Sequence, residues 1–238
     1  WYVFNSHWNY EKFRYFFNVP EDKSVVIKNG TDYFPKRKIY KQGEPIRIIH
    51  HCTPWRGLNV LLLAMQLIKS KNVTLDVYSS CKIYGSEFET KMEDEFKGLY
   101  DQAKSLDNVN YIGYKPNEYI LEHITDYDLF VYPSIFEETF CASALEALSS
   151  GLHVITTNFG ALPETCAEWP IYVNYTQDPN MLADATAQAI DIAAGYLHKE
   201  VIQTHLDEQQ KFYKRFYNWK KKGMEWTNFL QGALSVKR

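Results

Sequence analysis

The feature that most constrains the fold is the regular alternation of strand-like and helix-like segments from Pro45 onward, joined by short connections. The run "IRIIHHC" is typical of a buried strand, and the following "GLNVLLLAMQLIKS" places its apolar residues on one helical face. The pattern continues through six strands to a last crossover helix in "PNMLADATAQAIDIAAGYLH". Strands that alternate with helices predict an α/β fold with a doubly wound, mostly parallel, six-stranded Rossmann-like sheet.

Three regions of the 238-residue chain differ in pattern. Residues 1–40 contain a strand, a helix and an Asn29-Gly30 turn, which are typical of the end of another α/β layer followed by a linker. Residues 41–200 carry the alternation and form the predicted central domain. Residues 201–238 are predicted to form a C-terminal helix in which aromatic residues alternate with lysines.

The overall composition excludes several classes of protein. A net charge of −3 and a pI near 6.2 argue against a nucleic-acid-binding surface, which would usually be basic. Four cysteines without C-x-x-C spacing favour reduced thiols in a cytoplasmic protein. No run has the ~18 apolar residues of a membrane span, and no signal peptide is recognisable. The first residue is Trp1 rather than Met, which suggests that sequence is missing upstream.

The glycine pattern argues against a dinucleotide enzyme. No two of the eleven glycines are separated by a single residue, so the G-x-G-x-x-G fingerprint is absent, as is the P-loop. The turn "HHCTPWRGL" instead places Arg56 before Gly57 at a predicted helix start. A guanidinium at a helix amino terminus can bind phosphate. An exposed arginine that solvates the loop is an equally good interpretation of the turn alone.

Two glutamates around the next crossover raise the question of a ligand. "YPSIFEET" ends a strand, and a helix predicted to start over Thr139 to Ala142 would offer free amides to an anion. Glu138 precedes that start, and Glu146 follows eight residues later on nearly the same face, about 12 Å away. The layout suits a nucleotide sugar, which has hydroxyls at both ends and phosphates between. Alternatively, Glu138 caps the helix and Glu146 satisfies a buried backbone group.

Several motifs together resemble a known family. The segment "FVYPSIFEETFCASALEALSSGLHVITTNFGALPE" resembles the glutamate-x-seven-glutamate signature of the family 4 retaining glycosyltransferases, which have the two-domain GT-B fold. "IRIIHHCTPWRGLNVLLLAM" resembles the family's strand-turn-helix, and "NVNYIGYKPNEYI" its base-binding loop. The first forty residues are similar to the end of the amino-terminal domain and the linker. The chain would thus be mainly the C-terminal, donor-binding half.

The resemblance implies transfer of a sugar from a nucleotide-sugar donor, with retention of configuration and without a metal or other cofactor, to an unidentified glycan, lipid or protein acceptor. Glu138 would hold the sugar hydroxyls, Arg56 would neutralise the phosphates, and Glu146 would hold the ribose. The loop over residues 159–164 would border the sugar. The remaining implied binding positions are the amides of Thr139, Phe140, Cys141 and Ala142, and the main chain of Tyr114 and Lys115 at the base.

The sequence departs from the family pattern in three places. A second basic residue often lies about six positions before the position of Arg56, but here His50 and His51 occupy that neighbourhood. Cys141 replaces a common glycine. The amino-terminal domain implied by the resemblance, with its acceptor pocket and usual catalytic histidine, is mostly missing, and His7 is only an isolated candidate.

Four other interpretations remain at this point. The chain could be a catalytically incomplete nucleotide-sugar-binding module, from a truncated or split enzyme. A dehydrogenase is disfavoured by the missing glycines. Asp126 and Asp128 fit a metal-binding Asp-x-Asp, but their place before a strand predicts a solvated turn at the opposite edge of the sheet. The tail "KFYKRFYNWKKKGMEWTNFL" could make a peripheral membrane contact, although packing against the amino-terminal layer is favoured.

Overall fold

The computed structural model describes residues 1–32 and 34–235. Within these ranges the strands are β1 Tyr2–Phe4, β2 Ser24–Val26, β3 Ile46–His50, β4 Val73–Val77, β5 Val109–Tyr111, β6 Leu129–Tyr132, β7 His153–Thr157 and β8 Ile171–Val173. The α-helices are α1 His7–Phe17, α2 Leu58–Leu67, α3 Ser86–Ser105, α4 Asn117–His123, α5 Ala142–Ser150, α6 Leu162–Cys166, α7 Pro179–Tyr196, α8 Glu200–Phe216 and α9 Trp219–Ser235.

The main sheet has six parallel strands in the order β5-β4-β3-β6-β7-β8. This order confirms the predicted doubly wound α/β fold. The strand order reverses between β3 and β6, where the chain first builds outward to one side and then to the other. In open α/β sheets, ligands bind at such a reversal, beyond the carboxyl ends of the strands.

Helices cover both faces of this sheet, so its central strands are almost continuously apolar. Successive residues of a strand point to opposite faces, and Ile48 and Ile49 accordingly lie in different hydrophobic clusters. The cluster of Ile48 includes buried residues of α2 and α7, whereas the cluster of Ile49 includes Phe130 and buried residues of α5. The rigid sheet therefore fixes the positions of the loops that follow β3 and β6.

The amino-terminal layer lies against the last two helices. Strands β1 and β2 pair in parallel as a separate two-stranded sheet. The helical segment predicted near the end of the chain is divided between α8 and α9, and at this division the Thr31 amide donates to the Tyr217 carbonyl at 2.7 Å. The rings of Trp1 and Phe229 meet edge to face at 5.6 Å. Helix α9 thus packs against the amino-terminal layer, as favoured from the sequence.

None of the helices within residues 1–32 and 34–235 is both long enough and apolar enough to cross a bilayer.

Candidate active site

A cleft lies where the strand order reverses, at the carboxyl ends of β3 and β6. It consists of two adjoining cavities of about 450 Å³ and about 240 Å³. The larger is bounded by the turn after β3 and the loop between β6 and α5, and the smaller by residues 114–118. The cavities share His51, Cys52, Thr53 and Ile83 as lining residues, so they lie side by side. An elongated ligand could therefore extend from one cavity into the other.

Gly57 brings the two walls of the larger cavity together. Its φ of +118° is in the left-handed region, which L-residues rarely adopt. A Cβ atom at this position would lie 2.3 Å from the carbonyl oxygen of Pro133. The turn before α2 therefore packs directly on the loop after β6. This close approach places the side chain of Arg56 within reach of Glu138.

Arg56 and Glu138 form an ion pair in the larger cavity. The guanidinium Nη1 donates to Glu138 Oε1 at 2.8 Å, and the Tyr132 hydroxyl donates to the same oxygen at 2.5 Å. The guanidinium also lies 4.4 Å from the centre of the Phe136 ring, and its Nη2 donates to the Tyr84 hydroxyl. Arg56 is therefore not an exposed arginine that merely solvates the turn. Glu138, which is only 4% exposed, keeps its carboxylate in the interior through these partners.

Helix α5 begins later than predicted, at Ala142 rather than Thr139. The reason is Cys141, whose φ of +75° interrupts the helical backbone. Glu138 therefore lies outside the helix, and the argument that eight helical residues return it to the face of Glu146 was wrong. The predicted amide groups are nevertheless available. Those of Thr139, Phe140 and Cys141 donate to no partner within the described chain.

The conformation of Cys141 explains why a glycine is common at its position in the family that the motif resembles. An L-residue in the left-handed region costs about 1–2 kcal/mol, which glycine avoids. Burial raises the pKa of the Cys141 thiol well above its ordinary value. The side chain is therefore a protonated thiol rather than a nucleophilic thiolate.

Glu146 lies behind two residues that line the cleft. Its Oε1 accepts from Asn117 Nδ2 at 3.2 Å, and its Oε2 lies 3.6 Å from His51 Nε2. Burial raises the pKa of Glu146 to about 7, an effect that Asn117 opposes and the charge of Asp32 reinforces. Helix α5 has no side-chain cap, so Glu138 does not cap it, and the partners of Glu146 are side chains rather than backbone groups. Neither capping interpretation therefore describes the two glutamates.

The histidines at the end of β3 are both uncharged. Burial lowers the pKa of His50 to about 4 and that of His51 to about 3. His50 Nδ1 contacts the Val131 carbonyl oxygen at 3.1 Å, which holds its ring in the core. Neither histidine therefore supplies, in this state of the protein, the second positive charge that is common in the family.

The smaller cavity contains the residues predicted to meet a base. Tyr114 and Lys115 line it together with Asn117. The Tyr114 side chain is 41% exposed, and the ammonium group of Lys82 lies 5.3 Å from its ring centre. An exposed aromatic ring beside open main chain can stack on a flat heterocycle and leave polar atoms available for its edge.

Several residues near the cleft escaped prediction from the sequence. Tyr132 and Asn117 hold the two glutamates, but a tyrosine in a strand and an asparagine at a helix start carry no signal of such a role. Ser6 was also missed, and its hydroxyl donates to the Thr139 carbonyl oxygen at 2.5 Å. The amino-terminal segment thereby contacts the loop that precedes α5.

Glu164 anchors the start of α1 to the predicted sugar-bordering loop. Its carboxylate accepts from the amides of His7 and Trp8 and forms an ion pair with Lys28 at 2.8 Å. Burial would raise the pKa of Glu164, but these donors outweigh it and lower the pKa to about 2. The His7 ring contacts the same carboxylate. His7 thus lies at the junction with α1 and is not among the residues that line the cleft.

The Asp-x-Asp sequence lies at the amino end of β6, at the edge of the sheet opposite the cleft. Asp128 is buried rather than part of a solvated turn, because its carboxylate accepts from the Arg47 amide at 2.9 Å and lies 3.5 Å from Lys38 Nζ. Asp126 remains exposed. Across residues 1–32 and 34–235, no three histidine, cysteine or acidic side chains are grouped so that they could hold a metal ion.

Comparison with known proteins identifies sequence relatives. The family described as "Glycosyl transferases group 1" matches residues 30–214. The O-antigen chain mannosyltransferase B of Escherichia coli is 26% identical over 180 residues, which are 69% of this chain and 44% of that protein. An uncharacterized glycosyltransferase of Methanocaldococcus jannaschii is 26% identical over 164 residues, or 62% of this chain and 40% of the relative. The chain thus spans less than half the length of these curated relatives.

Solved structures share the fold at lower identity. A glycosyltransferase from Rickettsia africae superposes with a TM-score of 0.77 at 19% identity, covering 98% of this chain and 63% of the other. Alr3699/HepE from Anabaena, crystallised with UDP and glucose, gives a TM-score of 0.74 at 17% identity, covering 97% and 62%. At these identities the match establishes the common fold, and it extends over nearly the whole chain.

Proposed function

The chain belongs to the family of group 1 glycosyl transferases, and on this premise we propose that its cleft binds a nucleotide-sugar donor. The chain would supply the donor-binding part of a family 4 enzyme with the GT-B fold. That enzyme would transfer the sugar, with retention of anomeric configuration, to a glycan, lipid or protein acceptor. The observation that carries the proposal is the Arg56–Glu138 pair beside the unpartnered amides of Thr139 to Cys141, at the reversal of strand order.

Each part of the donor has a matching part of the cleft. The diphosphate fits between Arg56 and the start of α5, where a guanidinium and free amides can both act on its charge. The sugar then lies beside Glu138. The nucleoside extends into the smaller cavity, with its base toward Tyr114 and Lys115. Its ribose lies on the side of His51 and Asn117, behind which Glu146 is held.

Departure of the nucleoside diphosphate concentrates negative charge on the leaving oxygen. Donors that are fixed before the reaction stabilise such charge without reorganising. Arg56, held by Glu138 and Tyr84, and the amides before α5 are fixed in this sense. We therefore propose that departure of the diphosphate requires no metal ion.

A second candidate function uses the same cleft without catalysis. The chain spans less than half of its curated relatives, and the resemblance places the acceptor pocket in the amino-terminal domain. The chain by itself would then be a nucleotide-sugar-binding module. Release of the nucleoside diphosphate from a nucleotide sugar by the isolated chain distinguishes an enzyme from such a module.

Calorimetric titration with UDP, GDP and ADP tests the proposed donor site. We expect one diphosphate to bind in the presence of EDTA, with similar affinity after Mg²⁺ is added. Glu146→Gln should weaken that binding about tenfold, equivalent to about 1.4 kcal/mol. The matched control is Glu208→Gln, which changes an exposed glutamate of α8 and should have no effect. Absence of binding by all three diphosphates, or equal affinities of the three proteins, would refute the proposal.

The anomeric outcome needs a separate measurement. If the chain releases sugar from a nucleotide sugar in water, proton NMR taken before mutarotation identifies the first anomer formed. Retention predicts the same anomer as in the donor, and the opposite anomer would contradict a retaining mechanism.

A further inference from the structure

His51 is a buried side chain whose two ring nitrogens make no hydrogen bond to any described residue. Only 5% of its side-chain surface is exposed, and neither ring nitrogen has a hydrogen-bond partner in the part of the chain that is described. The residue lines both cavities of the cleft. Buried polar groups are almost always hydrogen-bonded, so an exception calls for an explanation such as a missing ligand. The Thr53 hydroxyl and Arg56 Nε, in residues that line the larger cavity, are also without partners.

The charged side chains that line the two cavities carry no excess of positive charge for an anionic ligand. Arg56 and Lys115 are the cations that line the two cavities, and Glu118 and Glu138 balance them. Arg56 already binds Glu138 directly. A diphosphate diester brings two negative charges into this space, and a nearby negative charge favours the protonated form of an imidazole.

The other groups that face His51 come from each element packed around it. On α5, the Glu146 carboxylate lies 3.6 Å away, and the Ser143 hydroxyl donates to the His51 carbonyl oxygen at 3.4 Å. Strand β6 contributes the uncharged Phe130 ring at 5.0 Å, and α4 contributes Asn117, which binds Glu146. The titratable and charged residues near His51 along the chain are His50, Cys52 and Arg56. Asp32 acts on the neighbouring Glu146.

We propose that His51 contacts the donor diphosphate and takes up a proton when the donor binds. The proton comes from Glu146 when its carboxyl group is protonated, and from solvent when it is not. The step forms an N–H bond on the imidazole and breaks an O–H bond on the carboxyl group. The products are an imidazolium beside the diphosphate and a carboxylate toward the ribose. This inference rests on the proposed function and makes the donor site of this chain proton-linked.

The direction of the pH dependence follows from the two residues. Below about pH 7, where burial keeps Glu146 protonated, the proton moves within the pair, so donor affinity is independent of pH. Above about pH 7 the free protein has a neutral His51 and an ionised Glu146, so binding takes a proton from solvent. Affinity then falls as pH rises, by at most about tenfold per pH unit for one proton.

UDP-glucose, GDP-mannose and ADP-glucose are suitable probes, because their diphosphate diesters do not titrate near neutral pH. Their dissociation constants are measured from about pH 6 to about pH 8.5, on either side of the pKa of Glu146. Proton uptake is measured directly by calorimetry at about pH 8 in HEPES and in Tris, whose ionisation enthalpies differ and which do not compete for a phosphate site. We expect a flat affinity up to about pH 7, a three- to tenfold loss over the next pH unit, and uptake of close to one proton.

Two substitutions and one control assign the effect to residues. His51→Gln should bind more weakly at about pH 6.5 and lose both the pH dependence and the proton uptake. Glu146→Gln removes the internal proton source, so uptake from solvent should persist down to about pH 6.5. His198→Gln, at the connection between α7 and α8, should behave as the wild type. Histidine ring NMR of the wild-type protein provides a measurement that does not depend on the folding of a variant.

The outcomes separate the inference from the function on which it rests. If none of the three nucleotide sugars binds, both fail. Tight binding with no pH dependence, no buffer-dependent heat and an unprotonated His51 in the NMR spectrum refutes the inference alone. A pH dependence that survives in His51→Gln also overturns it, because the proton would then be taken up elsewhere.

Discussion

Replacing Arg56 with methionine tests how strongly its pair with Glu138 holds the two crossover loops together. Methionine keeps much of the side-chain volume and removes the charge. Glu138 is 4% exposed, and after the change its carboxylate would retain the Tyr132 hydroxyl as its neutral partner. Breaking a buried pair by removing one partner is strongly destabilising, because the remaining charge is left uncompensated in the interior.

The expected magnitude follows from the burial of the two side chains. Loss of one partner from a fully buried pair costs about 3–5 kcal/mol. The Arg56 side chain is 23% exposed and Tyr132 remains, so we expect the lower end, a loss of about 3 kcal/mol of unfolding free energy. For a chain of this size, such a loss lowers the melting temperature by roughly 6–12 °C.

Urea unfolding followed by tryptophan fluorescence measures this loss, provided that the m-value is unchanged. The double variant Arg56→Met/Glu138→Gln removes the isolated charge and should recover about 2 kcal/mol relative to the single variant. Arg215→Met, on the exposed side of α8, is the matched control and should stay within about 0.5 kcal/mol of wild type. A loss below about 1 kcal/mol for Arg56→Met, or a double variant no more stable than the single one, would refute the reasoning.

Two further predictions concern pH. The lowered pKa of Glu164 means that its bonds to α1 stabilise the protein above about pH 4.5 and that this contribution is lost as pH falls toward 2. Glu164→Gln should therefore be less stable than wild type at pH ~7 and converge with it near pH ~2, as measured by urea unfolding at each pH. The raised pKa of Glu146 has the opposite effect on the pH dependence of stability. The stability associated with its protonated carboxyl group is lost as pH rises through about 7. Glu146→Gln should accordingly be more stable than wild type by about 1–3 kcal/mol at pH ~8, and a difference of zero or of opposite sign would contradict the burial argument.

The main sheet could be predicted because its strands are marked locally. Runs such as Ile46 to His50 are short, apolar and rich in β-branched residues, and the helices between them have clear periodicity. Strand β2, Ser24 to Val26, was not predicted, and it pairs with β1 outside the main sheet. The start of α5 was misplaced because the positive φ of Cys141 delays the helix, and a contact with a residue distant in sequence holds the backbone just before it. The Thr165 hydroxyl donates to the Phe140 carbonyl oxygen from a position 25 residues away.

The site was predictable as a set of residues but not as a set of contacts. Spacing identified Arg56, Glu138 and Glu146 separately, since each lies at a strand-to-helix connection or on the following helix. Their pairing depends on the close approach at Gly57, which no local pattern reveals. The same holds for His51, whose orientation toward Glu146 depends on how α5 packs beside β3.

Glu146 offers a way to separate a structural role from a functional one with a single substitution. It lies between Leu145 and Ala147, which are both fully buried, on a helix that an apolar residue would suit better. If Glu146 serves stability, the Glu146→Gln protein should be less stable than wild type and should also bind the ligand more weakly. If Glu146 serves a ligand, the Glu146→Gln protein should instead be more stable than wild type at pH ~8 and should bind the diphosphate more weakly. Urea unfolding and calorimetry on the same Glu146→Gln preparation therefore decide between the two roles, because only the functional role moves the two quantities in opposite directions.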